Sequence, residues 1–366
     1  MPAFDPVSCF AATYVEARTK FLRACAARGL PTTRHLLPTA GGAEGEELTA
    51  DVAVLGDASA RAMLLLTSAT HGVEGFCGSG CQVGLLDDDA FVAALQAGRA
   101  RVVFLHALNP FGFSHLRRTN EDNIDLNRNF RDFATPPEPH LPYAEIHRWL
   151  VPSTWPPTPE NEAQLGAYAA RYGEKALQAA TSGGQCEFPD GLFYGGVRPA
   201  WSNALLRAVL REHGSTCDRI AFIDFHTGLG PRGHGEKIFA GRDVAADLAR
   251  TRHIWGDDVT TFHDGSSTSA PLTGVNYHAI YEECPGASYA GIALEYGTLP
   301  LLDTFGALRA DQWLANHPDA GADTRARIKR MVRDAFYTDA DDWKVQVHAQ
   351  ARDAALKAVH YLAGIT

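Results

Sequence analysis

The sequence predicts an α/β protein with three layers, in which a mixed, mostly parallel sheet lies between two layers of helices. Two observations support this fold class. Short, continuous apolar runs at 62–67 (AMLLLT) and 101–105 (RVVFL) are typical of strands covered on both faces. Such runs alternate along the chain with segments of helical length and pattern, which is the order that a parallel sheet requires.

The elements follow in order from hydrophobic periodicity and from helix start and stop residues. We expect helices over 12–28, 75–97, 160–181, 202–213 and 244–255, and a mostly helical tail over 301–362. We expect an exterior strand at 51–55 and further strands at 62–67, 101–105, 219–225, 237–240 and 291–296. Residues 134–160 are rich in proline and predict an ordered surface excursion. No segment has the composition of a linker, so we expect one domain over 1–366, with a core over about 50–300 and a helical tail over 301–366.

Composition excludes several classes of protein. Of 366 residues, 45% are hydrophobic, which is too many for a disordered chain. The net charge of −10 repels phosphate backbones and argues against nucleic-acid binding. No apolar run approaches the ~20 residues of a membrane span, and the N-terminus lacks a basic signal region. We therefore expect a cytoplasmic protein with no membrane partner and with seven free cysteine thiols. The oligomeric state stays open.

Histidine or glutamate follows several predicted strands. His71, His106, His226 and Glu295 all lie where an apolar run ends, and ligands bind at the carboxyl ends of such strands. His71 and Glu74 form a His-x-x-Glu pair, and His226 can supply a third ligand. Two imidazoles and one carboxylate are a standard catalytic zinc set. The alternative is a glutamate that caps a first helical turn beside an unrelated histidine.

A polar block over 117–130 follows the second buried strand. It contains Arg117, Arg118 and Arg128 among several asparagines. Guanidinium groups beside a metal site would suit an anionic substrate, because they grip a carboxylate in a fork. The alternative is a solvated loop.

Taken together, these motifs resemble the zinc carboxypeptidases of the carboxypeptidase A type. The similarity covers about residues 50–300, and its most specific part is 109–130. It is strongest to a bacterial branch of unassigned function near the succinylglutamate desuccinylase and aspartoacylase deacylases. The matching elements, in family order, are His71-x-x-Glu74, Asn109-Pro110-x-Gly112-Phe113, Arg118, the run Asp125 to Phe130, His226 and Glu295.

The resemblance implies a metal site and a mechanism. His71, Glu74 and His226 would hold one Zn²⁺ per chain. Glu295 would be the general base that takes a proton from the attacking water and passes it to the leaving amine. Arg118 would stabilise the oxyanion, and it is preferred over Arg117 because the family has its arginine nine residues before the asparagine.

The resemblance also implies substrate-binding residues. Asn127 and Arg128 would bind the terminal carboxylate of the substrate. Asp125 would orient the ring of His71 through a contact on the side away from the metal. Asp224 could contact the metal shell, but a hydrogen bond at the end of the sheet is an equal alternative. No motif locates the family's mobile tyrosine, and we choose Tyr281 over its two neighbours at 277 and 289.

Two further segments should shape the site. The stretch 273–290 carries Glu282 and Glu283, which would suit a basic or neutral side chain unless both acids face solvent. Residues 131–200 should form a rim around the site, with a tight glycine turn over 191–196. This rim should narrow the entrance and so favour small substrates.

The resulting functional prediction is a zinc metallohydrolase that cleaves an amide bond beside a free carboxylate. The first hypothesis is a metallocarboxypeptidase that acts on a peptide or modified peptide. The second hypothesis is an N-acyl amino acid deacylase. The third, which is not an enzyme, is a non-catalytic binding protein on the same fold.

Overall fold

A computed structural model describes residues 4–364, and in this part of the chain seven strands form one mixed sheet. The spatial order is β1-β2-β4-β3-β5-β7-β6. The four central strands β4, β3, β5 and β7 are parallel, whereas β1, β2 and β6 are antiparallel to their neighbours. The strands are β1 (Thr32–Gly41), β2 (Glu47–Gly56), β3 (Ala62–Thr67), β4 (Arg101–His106), β5 (Arg219–Arg232), β6 (Gly235–Phe239) and β7 (Ser288–Gly297).

Helices cover both faces of this sheet, so the predicted three-layer α/β class is confirmed. Among the described residues, no helix has the length and apolar character that a membrane crossing requires. The helices are α1 (Tyr14–Ala27), α2 (Gly75–Asp87), α3 (Asp89–Ala97), α4 (Pro110–Ser114), α5 (Leu141–Leu150), α6 (Pro159–Tyr172), α7 (Glu174–Ser182), α8 (Trp201–His213), α9 (Ala245–Trp255), α10 (His278–Glu283), α11 (Leu301–Asn316), α12 (Ala322–Phe336) and α13 (Asp341–Ala363).

The two layers of the core follow from the alternation of side chains along each buried strand. In β3, Leu64 and Leu66 pack with residues of α1, α2 and α13, while Met63 and Leu65 pack with residues of α8 and α10. Every residue of β3 and β4 is buried. A continuous apolar run is therefore what these strands require, because neither face meets water.

Three sequence predictions about elements were wrong in detail, and one strand was missed. The strand predicted as exterior at 51–55 is β2, an almost fully buried strand, because β1 pairs along its outer side. β1 itself was missed, so the sheet begins before residue 50. The helix predicted over 75–97 is two helices, α2 and α3. The helix predicted over 160–181 breaks into α6 and α7 at Gly173, whose φ of 94° is left-handed.

The rim segment over 131–200, which we call the insert, forms a packing unit of its own. Helices α5, α6 and α7 share a small apolar cluster with the turn at 191–196, and α11 packs against that cluster through Phe305 and Leu308. The insert is therefore ordered by its own core and held to the tail helices.

The candidate site lies where the strand order reverses. The chain runs from β3 to its neighbour β4 and then crosses back to β5 on the other side of β3. Such a switch point leaves a crevice at the carboxyl ends of the strands. The segment that follows β3 and the end of β5 both open into it.

Candidate metal centre

His71 and Glu74 are placed by the sharp turn between β3 and α2. A short 3-10 turn over Gly72–Glu74 brings both side chains to one point, with His71 Nδ1 2.9 Å from Glu74 Oε1. A Cβ at Gly72 would collide with the backbone of Gly112, so the close approach of these two segments needs glycine. The amide of Gly72 donates to the carbonyl oxygen of Arg118, which ties this turn to the arginine loop.

His226 completes the cluster from the neighbouring strand. Its Nδ1 lies 3.0 Å from Glu74 Oε2 and 3.1 Å from His71 Nδ1. All three side chains are buried, with 1–5% of each residue exposed. Three ligands of a tetrahedral zinc ion at about 2.0–2.1 Å lie about 3.3 Å apart. The spacing and the chemistry of these donors therefore fit a zinc ion.

A carboxylate faces the far nitrogen of each histidine. Asp224 Oδ2 lies 2.7 Å from His226 Nε2, and Asp125 Oδ1 lies 3.3 Å from His71 Nε2. Asp224 is held in turn by the amide of Asn276 at 2.7 Å. Partners of this kind fix the ring orientation of metal-ligating histidines. Both alternatives for Asp224 are observed, because its other oxygen accepts hydrogen bonds from Thr67, at the end of β3, and from Thr70.

The charges of this cluster are strongly coupled. Burial acts to lower the pKa of His226, but the carboxylates of Asp224 and Glu74 outweigh it and hold that pKa well above its usual value. Burial acts to raise the pKa of Glu74, but the two histidines outweigh it and lower that pKa. Glu74 is therefore a buried carboxylate that stays ionised beside two basic rings.

Glu295 lies beside His226 because their strands are paired. The two residues are register partners in the parallel ladder of β5 and β7. Glu295 Oε1 accepts a hydrogen bond of 3.0 Å from the amide of Leu229. Burial, followed by the charge of Glu74, raises the pKa of Glu295 to about 8. This carboxylate is not an ion-pair partner of any described residue, and it lines the cavity described below.

The two neighbouring arginines point in different directions. Arg118 donates to Asp125 at 2.9 Å and to Glu74 at 3.2 Å, so its guanidinium adjoins the candidate ligands. Arg117 instead donates to Asp311 at 3.0 Å and to Asn123 at 2.9 Å, on the side of α11. Only Arg118 of this pair lines the cavity.

Asn127 and Arg128 lie in the same cavity, and both are nearly buried. Arg128 donates to the carbonyl oxygens of Ser182 and Asn127, which fixes its guanidinium and leaves part of it facing the cavity. The carbonyl group of the Asn127 side chain accepts from the amide of Asn276 at 3.2 Å. Asp125 lies 2.9 Å from Arg118 and 4.0 Å from Arg128, so one carboxylate adjoins both guanidinium groups.

Phe193 is a contact of both arginines that the sequence did not indicate. Its ring centroid lies 5.2 Å from the guanidinium carbon of Arg118 and 5.5 Å from that of Arg128. The residue has a φ of 53°, which is unusual for a bulky side chain. Hydrogen bonds from Gln185 to its carbonyl oxygen and to that of Leu192 hold the turn. The glycine pattern at 191–196 was the only signal of this turn.

The structure does not bring Tyr281 to the candidate metal centre. Its hydroxyl donates to Asp247 at 2.8 Å, and the residue does not line the cavity, whereas Tyr277 does. Glu282 and Glu283 also face away, because both form ion pairs with Arg207 on α8. The possibility that these acids select a basic side chain is thereby removed.

A cavity of about 340 Å³ opens beside the cluster. Six polar residues around the candidate metal centre line it: His71, His226, Glu295, Arg118, Asn127 and Arg128. The other walls come from β6, β7 and the segment 262–277 on one side and from α7 and α11 on the other; α11 contributes mainly apolar side chains, whereas most of those from α7 are polar. Helix α7 and Phe193 belong to the insert, so the insert does border the cavity.

The fold and the His-Glu-His cluster define a carboxypeptidase-like α/β protein with a candidate metal centre. The chain belongs to the family described as "Protein of unknown function (DUF2817)", whose model matches residues 10–350. No curated protein has a sequence that matches this chain.

Three solved structures are similar to this chain. Bovine thrombin-activatable fibrinolysis inhibitor, solved with tick carboxypeptidase inhibitor, is 10% identical with a TM-score of 0.50, covering 98% of this chain and 99% of that one. Carboxypeptidase A from Helicoverpa armigera is 12% identical with a TM-score of 0.46, covering 88% and 74%. An aspartoacylase family protein from Mesorhizobium loti is 14% identical with a TM-score of 0.36, covering 78% and 66%. At these identities the likeness concerns the fold alone.

Proposed function

We propose that this protein is a zinc-dependent hydrolase that cleaves an amide bond beside a free carboxylate. One observation carries the proposal: a cluster with zinc-like donor spacing, an adjacent carboxylate and two arginines share one cavity. The first candidate activity is that of a metallocarboxypeptidase on a peptide or modified peptide. Location in the cytoplasm is part of the same proposal.

The residues of the cluster suit a metal of this kind. His71, Glu74 and His226 would hold it, which supplies two nitrogen donors and one carboxylate. Zinc held by such a set polarises a carbonyl group and lowers the pKa of water. Asp224 and Asp125 would keep the two rings oriented for this task.

The other polar residues divide the remaining work. Glu295 would accept the proton of the attacking water and deliver it to the leaving amine. Arg118 would stabilise the negative charge that develops on the carbonyl oxygen. Arg128 and Asn127 would hold the free carboxylate of the substrate by charge-assisted hydrogen bonds. Tyr281 would not take part, because its hydroxyl is bound to Asp247.

An N-acyl amino acid deacylase is the second candidate, and the insert favours it. Helix α7 and Phe193 border the cavity from outside the sheet. A covered site of about 340 Å³ is at the small end of the usual range for ligand pockets, about 300–1,000 Å³. A substrate of one amino acid and one acyl group would fit such a space better than a long peptide.

Metal analysis of purified protein, with a Glu295→Gln variant, tests the enzyme itself. We expect about one zinc ion per chain and a loss of kcat on the order of a hundredfold to ten-thousandfold in the variant. Glu236→Gln is a matched control, since Glu236 is the buried register partner of Glu295 on β6 but bonds to Thr260 and Thr268 instead. Protein that binds no zinc, or a fully active Glu295→Gln variant, would mean that the proposed zinc mechanism is wrong.

A substrate panel separates the two activities. N-acylated dipeptides and N-acylated single amino acids with the same C-terminal residue should be compared by kcat/KM. A preference for the dipeptides supports the carboxypeptidase, and a preference for the single amino acids supports the deacylase. Rapid release of C-terminal residues from long unfolded peptides would contradict the narrowed access.

A further inference from the structure

The walls of the cavity differ sharply from its polar end. We call the apolar residues of α7 and α11 the outer wall; these are Leu177, Leu301, Leu302, Phe305 and Leu308. Helix α7 also brings polar side chains to the cavity: Glu174 and Lys175 are exposed, whereas Thr181 is buried. The charged side chains of the cavity that are shielded from solvent are therefore those around the candidate metal centre.

The outer wall continues to the protein surface. Leu301 is 54% exposed and Leu302 is 81% exposed, and both line the cavity. The nearby Leu299 is 38% exposed. Single exposed leucines are ordinary, but two adjacent ones at the mouth of a cavity offer an apolar surface of the kind that binds apolar groups.

Burial sets the direction in which a substrate would lie. Arg128 and Asn127 are 4% and 5% exposed, so they are at the closed part of the cavity, whereas Leu302 is at its mouth. If the proposed function holds, the substrate carboxylate rests on Arg128 and the scissile amide lies at the metal centre. The acyl portion then extends along the outer wall toward solvent.

We propose that this acyl portion is an extended apolar chain, so that the substrate class is amino acids N-acylated by aliphatic acids. This inference rests on the proposed function and names the substrate of the same site. The opposite wall is also apolar, with Phe262, Leu272 and Val275. An apolar amino acid such as leucine is the matching choice for the part that carries the carboxylate.

A chain-length series tests the inference. N-acetyl-, N-hexanoyl- and N-decanoyl-leucine differ only in the acyl portion. Each methylene that becomes buried adds up to about fourfold in affinity, so we expect kcat/KM to rise on the order of a hundredfold from acetyl to decanoyl. A flat or falling series, in an enzyme that does hydrolyse these compounds, overturns the acyl-chain inference and leaves the proposed hydrolase standing.

Variants of the outer wall locate the effect. The double variant Leu301→Ser with Leu302→Ser should reduce the ratio of decanoyl to acetyl kcat/KM by tenfold or more. Leu141→Ser is the matched control, because Leu141 is a leucine 72% exposed on α5 that does not line the cavity. An unchanged ratio in the double variant overturns the assigned wall.

Binding gives a readout that does not need turnover. In a Glu295→Gln background, calorimetry should show decanoyl-leucine binding at least tenfold more tightly than acetyl-leucine. If no peptide or N-acyl amino acid is hydrolysed by the natural protein, the proposed function fails, and the calorimetric difference still decides the acyl-chain inference. Equal affinities overturn it.

Discussion

Two buried histidines, His226 and His106, lie at the carboxyl-terminal edge of the same sheet but have opposite environments. His226 lies on β5 among two carboxylates and a second imidazole, and its pKa is held high. His106 ends β4, stacks on Phe21 at 4.4 Å and lies 2.8 Å from the hydroxyl of Ser79. Burial lowers the pKa of His106 to about 4. In sequence, both are simply a histidine after an apolar strand.

The difference lies in what converges on each ring from elsewhere in the chain. His226 is met by a carboxylate from the turn after β3, which the reversal of strand order brings to it. His106 is met by Phe21 of α1 and a hydroxyl from α2. Its register partner on β2, Asp51, is a carboxylate, but it is ion-paired with Arg18. His226 is therefore the candidate ligand, because carboxylates contact its ring, whereas His106 is a buried core residue with a lowered pKa.

The largest predicted effect separates the two histidines by metal content. His226→Asn should reduce bound zinc from about one per chain to near zero, with activity lost in parallel, because one of three protein ligands is removed. His106→Asn should retain the metal. Elemental analysis of both purified variants checks this, and equal zinc content in the two would refute the assignment of His226.

The next effect concerns stability against pH. The folded protein binds a proton at His106 only near pH 4, whereas the unfolded chain binds it near 6.5. The unfolded state therefore holds more protons between these values, and His106 costs stability as pH falls through this window, about 3 kcal/mol in total. In His106→Gln this contribution is absent. The difference in unfolding free energy between natural protein and variant should shrink by that amount from pH 7 to pH 4, as urea titrations at each pH would show.

A smaller effect is expected behind the metal centre. Asp224→Asn removes the carboxylate that faces His226 Nε2, and it should weaken zinc binding by about tenfold to a hundredfold. Competition with a chromophoric chelator measures this. Asp247→Asn, which alters the acid bound to Tyr281 away from the cavity, should leave zinc affinity unchanged. Equal losses in the two variants would point to a general change in the fold.

The smallest effect tests the ring shared by two arginines. Phe193→Leu removes two cation–π contacts, each worth about 0.5–1 kcal/mol, so kcat/KM should fall by about tenfold. Phe193→Tyr should restore it. Phe188→Leu is the control within the insert, because Phe188 packs on Tyr143 and not on an arginine. A similar loss in both leucine variants would indicate that the insert acts only through its packing.

The sequence was most informative where burial and chemistry coincide. Buried strands such as β3 could be predicted because nearly every residue is apolar, and the confirmed family resemblance placed the candidate metal-binding motif at their ends. β1 was missed because most of its side chains are exposed, so it carries no clear alternation. The role of Phe193 could not be predicted from the sequence either, because it depends on a left-handed φ and on contacts with Arg118 and Arg128, about 70 residues away in the chain.

The pairing of His226 with Glu295 also bears on how reliably the site is built. Main-chain hydrogen bonds between β5 and β7 set the spacing of His226 and Glu295, so side-chain packing elsewhere in the protein changes this spacing little. A slip of one residue in either strand would turn its side chain to the opposite face of the sheet. The site therefore forms completely or not at all. A chain in which β5 and β7 pair in the wrong register would have no partial function, whereas in the correct register the backbone itself sets the geometry of the two side chains.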